Sequence, residues 1–244
     1  MKNNPLYHFF NQFRGKISSS IYIPFLGKAD RNHLALLRNL EKEMEVDKCL
    51  DVPLNKLNVV IFDFETTGFY PEKGDSILSI GAIKIINGQM DTNKTFYSLV
   101  YNERRLPDEI KQLTGIDESE LLSAPPIADV LIQFYQFVQN APLVAHHANH
   151  EKKFLQHANW KTFKKMYSHR IIDTSLVFNI ANPDKSIVSL DDYCAICDIQ
   201  VQNRHHALGD AITLAKLWQI YIQKLKLIGC TTLKDVYEQL AMNN

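Results

Sequence analysis

Two carboxylates, Asp63 and Glu65, end a run of β-branched and apolar residues that starts at Val59, and Thr66, Thr67 and Gly68 follow them. On a strand, residues two apart point to the same face. Two acids at the end of a buried strand repel each other and lose hydration, which is costly unless a cation sits between them. Hard oxygen donors favour magnesium or manganese over zinc. Read alone, the pair is equally compatible with an ordinary strand whose last acids are solvated.

Two later stretches carry the same signal. Residues 143–155 run Leu-Val-Ala-His-His-Ala-Asn-His-Glu-Lys-Lys-Phe-Leu, and residues 205–211 run His-His-Ala-Leu-Gly-Asp-Ala. Each places an acid, Glu151 or Asp210, where a strand or loop gives way to a helix. A helix N-terminus also accepts a carboxylate simply as a cap. His205 precedes Asp210 by five residues, a rotation of about 140° on an α-helix. The two would point apart on one helix, so His205 is expected on the loop before it. The neighbouring His206 is an alternative by sequence alone. Histidines 146, 147 and 150 could suggest zinc, but carboxylates dominate the set and favour a hard ion.

The elements that must position these residues can be read from periodicity. Residues 57–65 form a first strand and 77–86 a second, closed by the hairpin signal Asn87-Gly88. Residues 95–101 form a third, giving an antiparallel meander. Helical patterns follow. Pro107 opens a helix that Thr114-Gly115-Ile116 interrupts, and Pro125-Pro126 starts a longer one through Gln139. Residues 142–146 form a short buried strand, 151–158 a helix, and 170–173 a fifth strand. Helices start at Ser175 and Ser189, the stretch 205–225 reads as a long helix with His205 on the loop at its start, and residues 233–242 form a short last one. Three strands followed by strands alternating with helices predict an α/β fold with a mixed five-stranded sheet flanked by helices.

Composition limits the function. The 244 residues allow one sizeable domain and an extension. Lysine plus arginine and aspartate plus glutamate both number 27, so no global basic field grips long duplex nucleic acid. A nucleic-acid enzyme with this balance would hold a short piece, such as an end. Cys49, Cys194, Cys197 and Cys230 are too sparse for a disulfide framework. The Cys194-x-x-Cys197 pair falls in an amphipathic helix and reads as structural. There is no apolar run of membrane-spanning length and no secretory signal, so a cytoplasmic protein without membrane contact is expected. Residues 1–56 form an extension with an aromatic cluster (Tyr7, Phe9, Phe10, Phe13) and a helical pattern over 30–46. It reads either as an arm packed on its own domain or as a docking arm for a protein partner. The remaining divisions are a 57–226 domain and a 227–244 helix.

Taken together, Asp63-Phe64-Glu65-Thr66-Thr67-Gly68, residues 143–155 and His205 through Asp210 resemble the three motifs of the DEDD exonuclease superfamily, histidine branch. That branch includes the proofreading 3′→5′ exonuclease subunit of bacterial DNA polymerase III. The likeness covers residues 57–225, and Thr114-Gly115-Ile116 and Ile172-Asp173-Thr174 match further stretches. It implies a ribonuclease H-like fold and two magnesium or manganese ions held by Asp63, Glu65, Glu151 and Asp210. His205 becomes the general base. Thr66, Thr67, Gly68, Glu109 and Thr114 lie near the terminal nucleotide. It also implies release of nucleoside 5′-monophosphates from a DNA 3′ end, single-stranded DNA being the expected substrate. A polymerase partner would supply the grip that a neutral chain lacks. RNA trimming by the same chemistry is the alternative. One departure stands out: the family has asparagine and aspartate where this chain has His147 and Glu151. The longer acid opens a third reading, a catalytically weak end-binding or scaffold module.

Overall fold

The computed structural model describes residues 48–165, 169–183 and 189–242. The aromatic cluster near the start and the helical pattern over 30–46 lie outside them. Five strands form one sheet in the order β3-β2-β1-β4-β5. β1 (Val59–Thr66), β2 (Ile77–Ile86) and β3 (Gln89–Leu99) are antiparallel neighbours. β4 (Leu143–Ala145) and β5 (Ile171–Asp173) continue the sheet in parallel. The expected mixed sheet is therefore present.

The helices fall into two layers because β1 is apolar on both faces. Val60, Phe62 and Phe64 pack on α3 (Ile127–Val138) and α4 (Asn149–Phe163), with Phe134, Phe154 and Leu155 as partners. Val59 and Ile61 pack on the opposite layer, whose main element is α7 (Ala207–Leu227) with Leu214, Leu217 and Trp218. Asp63 and Glu65 continue the Val59–Ile61 row, so they emerge on the α7 face. Five shorter α-helices complete the fold of the described residues. α1 (Asp108–Thr114) and α2 (Glu118–Ser123) follow the meander, and α5 (Thr174–Ala181) and α6 (Leu190–Ile196) follow β5. α8 (Leu233–Met242) ends the described chain. Its Leu233 and Val236 share a core cluster with Leu54 and Leu57, so residues on either side of 57–226 pack into the same core.

Several boundaries moved for physical reasons. Asn87 and Gly88 both have positive φ (51° and 73°), the conformation that a tight two-residue hairpin requires. β3 then starts at Gln89, six residues earlier than its pattern suggests. Residues 92–94 bulge where Ile83 pairs with Thr95 and Lys84 with Asp91. As an edge strand it needs no apolar alternation through that stretch. α4 runs on to Phe163 past Asn159, a buried polar residue that donates to the Tyr135 hydroxyl and the Leu155 carbonyl (2.7 Å). His205 lies before α7, with φ 60°, as its spacing from Asp210 required.

None of the four cysteines is in a disulfide, and burial pushes the Cys194 thiol up to about 11, which suits a packing role rather than a reactive one. Among the described residues, no helix is long and apolar enough to cross a membrane.

Candidate active site

Four acids reach one end of the sheet from three elements. β1 delivers Asp63 and Glu65, and the first turn of α7 delivers Asp210. Carboxylate oxygens of these three all lie within 4.8 Å of one another. Glu151 comes from the first turn of α4 on the other side of β1. It falls outside the tight trio but is close enough for its charge to act on Asp63.

α7 can come this close because of a glycine. Gly81 on β2 pairs directly with Asp63. A Cβ there would sit 2.1 Å from the Leu208 nitrogen and 2.2 Å from the Ala207 carbonyl carbon, so the start of α7 rests on bare backbone. Ala207 is fully buried in this contact, and Ala211, one turn on, is fully buried too. α4 is set by Asp173 at the end of β5. One of its oxygens caps α5 through the Ser175 N–H (2.9 Å), and the other accepts the Ala148 N–H (3.1 Å) just before α4.

Such crowding changes how the acids ionise. Burial, then the charges of Glu151, Glu65 and Asp210, hold the Asp63 carboxyl well above the usual range. Burial and Asp210 push Glu65 up to about 7. Burial raises Glu151 to about 8, with Asp173 adding to it and a bond from its own backbone N–H opposing. Asp210 is raised by burial against the pull of Arg204. Two buried oxygens, Glu151 Oε2 and Asp210 Oδ1, have no hydrogen-bond partner among the described residues. Orphaned buried carboxylate oxygens are expensive unless something else takes them. An all-oxygen donor set with such vacant lone pairs fits a hard divalent cation. Among the described residues, no histidine joins this donor group. His146 Nδ1 instead meets Thr174 Oγ1 (3.0 Å), and His150 lies against Thr66, Phe69 and Phe154.

The two adjacent histidines have separate tasks. His206 is the N-cap of α7, its Nδ1 accepting the Gly209 N–H (3.4 Å) while its ring stacks on Tyr97 (4.4 Å between centroids). His205 donates its backbone N–H to Asp210 Oδ2 (3.1 Å), which leaves its half-buried ring out of the cap.

Arg204 was not legible as a site residue. Its guanidinium bridges Asp210 Oδ2 (2.5 Å) and Asp191 Oδ1 (3.0 Å) and opposes the repulsion among the acids. A cation next to His205 was the only available signal, and sequence could not show that it folds back onto Asp210. Arg204→Gln is expected to destabilise the metal-free protein by about 2 kcal/mol, a discount from the fully buried case because Arg204 is partly exposed. Thermal unfolding in chelator measures this, and an unchanged midpoint would remove the counter-ion role.

The other expected contacts are less concentrated. Thr66 donates to the Gly68 carbonyl (2.8 Å), and Thr67 accepts the Ser76 N–H (2.9 Å). The Asp75 carboxylate fills the space where a Gly68 Cβ would be, at 2.4 Å. This turn directly follows the acids. Thr114 uses its hydroxyl within its own turn, donating to the Ile110 carbonyl (2.8 Å) and accepting the Ile116 N–H (3.2 Å). Glu109 is exposed in the first turn of α1.

Known proteins resemble this chain. A family model described as Exonuclease (RNase T) matches residues 60–218. A DNA polymerase III subunit epsilon-like protein of Rhodobacter capsulatus is 33% identical over 192 residues, 78% of this chain and 27% of its own length. A protein named 3′-5′ exonuclease DinG from Staphylococcus aureus is 29% identical over 177 residues, 72% of this chain and 19% of its own length. This chain therefore spans about a quarter or less of those relatives. Among solved structures, the nuclease domain of 3′hExo, a DEDDh family member bound to rAMP, superposes with a TM-score of 0.63 at 19% identity. That match covers 72% of this chain and 94% of the other. It carries the ribonuclease H-like fold. The matched span runs from β1 into α7 and so contains all four acids and His205, and on that basis the chain belongs to the Exonuclease (RNase T) family.

Proposed function

We propose that this protein is a divalent-metal-dependent 3′→5′ exonuclease that releases nucleoside 5′-monophosphates from DNA ends. The observation that carries the reading is a close trio of acids, Asp63, Glu65 and Asp210, with Glu151 near enough to act on Asp63, and with two buried, unpartnered oxygens among the four. Such a cluster is unfavourable by itself and useful when cations fill it.

Asp63, Glu65, Glu151 and Asp210 would hold two magnesium or manganese ions. When bound, these supply charge neutralisation at the scissile phosphate and a more acidic attacking water. The protein's own groups do the rest. His205, on its loop beside Asp210, takes the proton of the attacking water, a task suited to imidazole at neutral pH. The turn Thr66-Thr67-Gly68 meets the terminal nucleotide through its backbone, with Glu109 and Thr114 farther along the same end. The acids fix where the phosphate rests, and therefore which bond breaks. The relatives named for DNA polymerase III and for 3′-5′ exonuclease activity support DNA and the polarity. By the same token a replicative or repair polymerase is the class of partner that would present the end, and residues 1–56 are the segment to test for docking.

The test is a gel assay with 5′-labelled single-stranded DNA and a matched RNA, in magnesium, manganese or chelator. A metal-dependent ladder shortening from the 3′ end supports the reading, and the strand consumed faster decides between DNA and RNA. Binding without cleavage in every metal would replace it with an end-binding module. His205→Ala is expected to lower turnover by roughly 10²- to 10⁴-fold with an unchanged melting temperature, because the cap belongs to His206. An equal loss in His206→Ala but not in His205→Ala would exchange their roles. Glu151→Asp shortens the acid by one methylene, and it is expected to change turnover and metal preference while leaving the fold intact. Steady-state rates across a magnesium and manganese series read this directly.

A further inference from the structure

The outward face of α4 is basic along its length. Lys153, His157, Trp160 and Lys161 recur at helical spacing and share one face, and Lys164 follows directly as the C-cap of the helix. Lys153, Lys161 and Lys164 are exposed, and Trp160 is 49% exposed. The sole acid of this helix is Glu151, which is buried and turned into the site. None of the three lysines is paired with a carboxylate among the described residues. The stripe begins at the site. Lys153 is close enough to His150 for its charge to act on it, and His150 meets Thr66 Oγ1 (3.4 Å) and the edge of Phe69, itself 73% exposed. The turn packed against the start of α4 contributes Lys73 and the acids Glu72 and Asp75. Asp75 is occupied by the Tyr70 N–H and the Thr67 hydroxyl. From Lys153 to Lys161 the helix advances about 12 Å, and Lys164 lies just beyond its end. A chain with no net charge thus concentrates unpaired cations and an exposed indole on a track leading away from its four acids.

We infer that the exposed face of α4 is a binding track for single-stranded nucleic acid, holding the part of the strand 5′ of the nucleotide being removed. This rests on the exonuclease reading. Lysines spaced along a helix neutralise successive phosphates, and an exposed tryptophan gives a base a surface to stack on, without sequence preference. The four acids repel the backbone in the absence of cations, so an attractive surface beside them is what keeps a strand engaged between cuts.

The probe is a fluorescein-labelled oligothymidylate of about 20 nucleotides, longer than a typical single-module site. Anisotropy is followed against salt in magnesium, with Asp63→Asn as the non-cleaving background. Lys153→Gln/Lys161→Gln/Lys164→Gln is expected to weaken binding at low salt by about tenfold or more. It should also flatten the slope of log K against log salt by about 2, at ~0.7 per lost phosphate contact. Trp160→Ala should weaken binding about fivefold or more without changing the slope. Lys56→Gln/Lys226→Gln/Lys234→Gln removes three charges elsewhere and should change neither. An unchanged slope in the α4 triple variant, or an equal change in the control triple, overturns the track. So does tight binding to an acidic peptide that the oligonucleotide cannot displace. Wild-type cleavage is run alongside: cleavage with an unchanged slope rejects the track alone, and neither cleavage nor binding rejects the exonuclease reading with it.

Discussion

Asp63→Asn is expected to abolish turnover, on the order of 10³-fold or more, while making the metal-free protein more stable. The two effects have one cause. Asp63 is the acid on which all three of the others act, since Glu151, Glu65 and Asp210 each raise it on top of burial. Removing its charge relieves the repulsion and deletes a central donor for cations, so stability rises and catalysis falls. A 10³-fold loss corresponds to about 4 kcal/mol of transition-state stabilisation. The expected gain in chelator is a melting temperature higher by several degrees, roughly 2–4 °C per kcal/mol for a chain of this size. Saturating magnesium should reverse the order, because wild type gains from binding and the variant gains little. A variant less stable than wild type in chelator would show that Asp63 has a structural role and that the acids are not held against repulsion.

The same reasoning sets a pH dependence for the metal-free protein. Glu65 and Glu151 are raised to about 7 and about 8 when folded. A raised carboxyl binds its proton more tightly in the folded state than in the unfolded chain. Its contribution is full below the ordinary carboxylate range and is lost as pH rises through the folded value. In chelator, the melting temperature should therefore fall as pH goes from about 6 to about 8, and Glu151→Gln should flatten that fall. Metal should remove most of the slope. A melting temperature that rises over the same interval would reverse the assigned direction.

Gly81→Val should be the most damaging single change outside the acids. Any Cβ at this position meets the backbone of Ala207 and Leu208 near 2 Å, and backbone at a helix start cannot rotate aside as a side-chain tip does. Overpacking of this kind costs about 3 kcal/mol or more, a drop in melting temperature of roughly 6–12 °C. The helix must lift from the sheet, and it carries Asp210 and the His205 loop with it. Misplacement by about 1 Å is enough to cost on the order of 10²-fold in rate. Gly81→Ala should show the same pattern more weakly. If either variant kept wild-type stability and turnover, close seating of α7 on β2 would not be what assembles the site.

Much of this molecule could be read from its residues. The continuous apolar run of β1 and the Asn87-Gly88 turn have local causes, and so does the exclusion of His205 from the helix of Asp210. Local backbone preferences do not depend on the rest of the chain. The acids were also legible, because a strand ending in Asp-x-Glu is chemically costly wherever it lies. Local pattern failed where a tertiary contact outweighed it. β3 extends through a polar stretch because an edge strand is paired on one side only, and α4 passes Asn159 because Tyr135 and the Leu155 carbonyl satisfy its amide. Folding alone decided the rest. It seated Gly81 under α7, divided the tasks of His205 and His206, and turned Arg204 onto Asp210. It also left the lysines of α4 and its C-cap exposed and without carboxylate partners among the described residues. The chemistry of a residue type is a property of its own atoms, whereas distance and charge balance between residues far apart in the chain exist only after the sheet has brought them together.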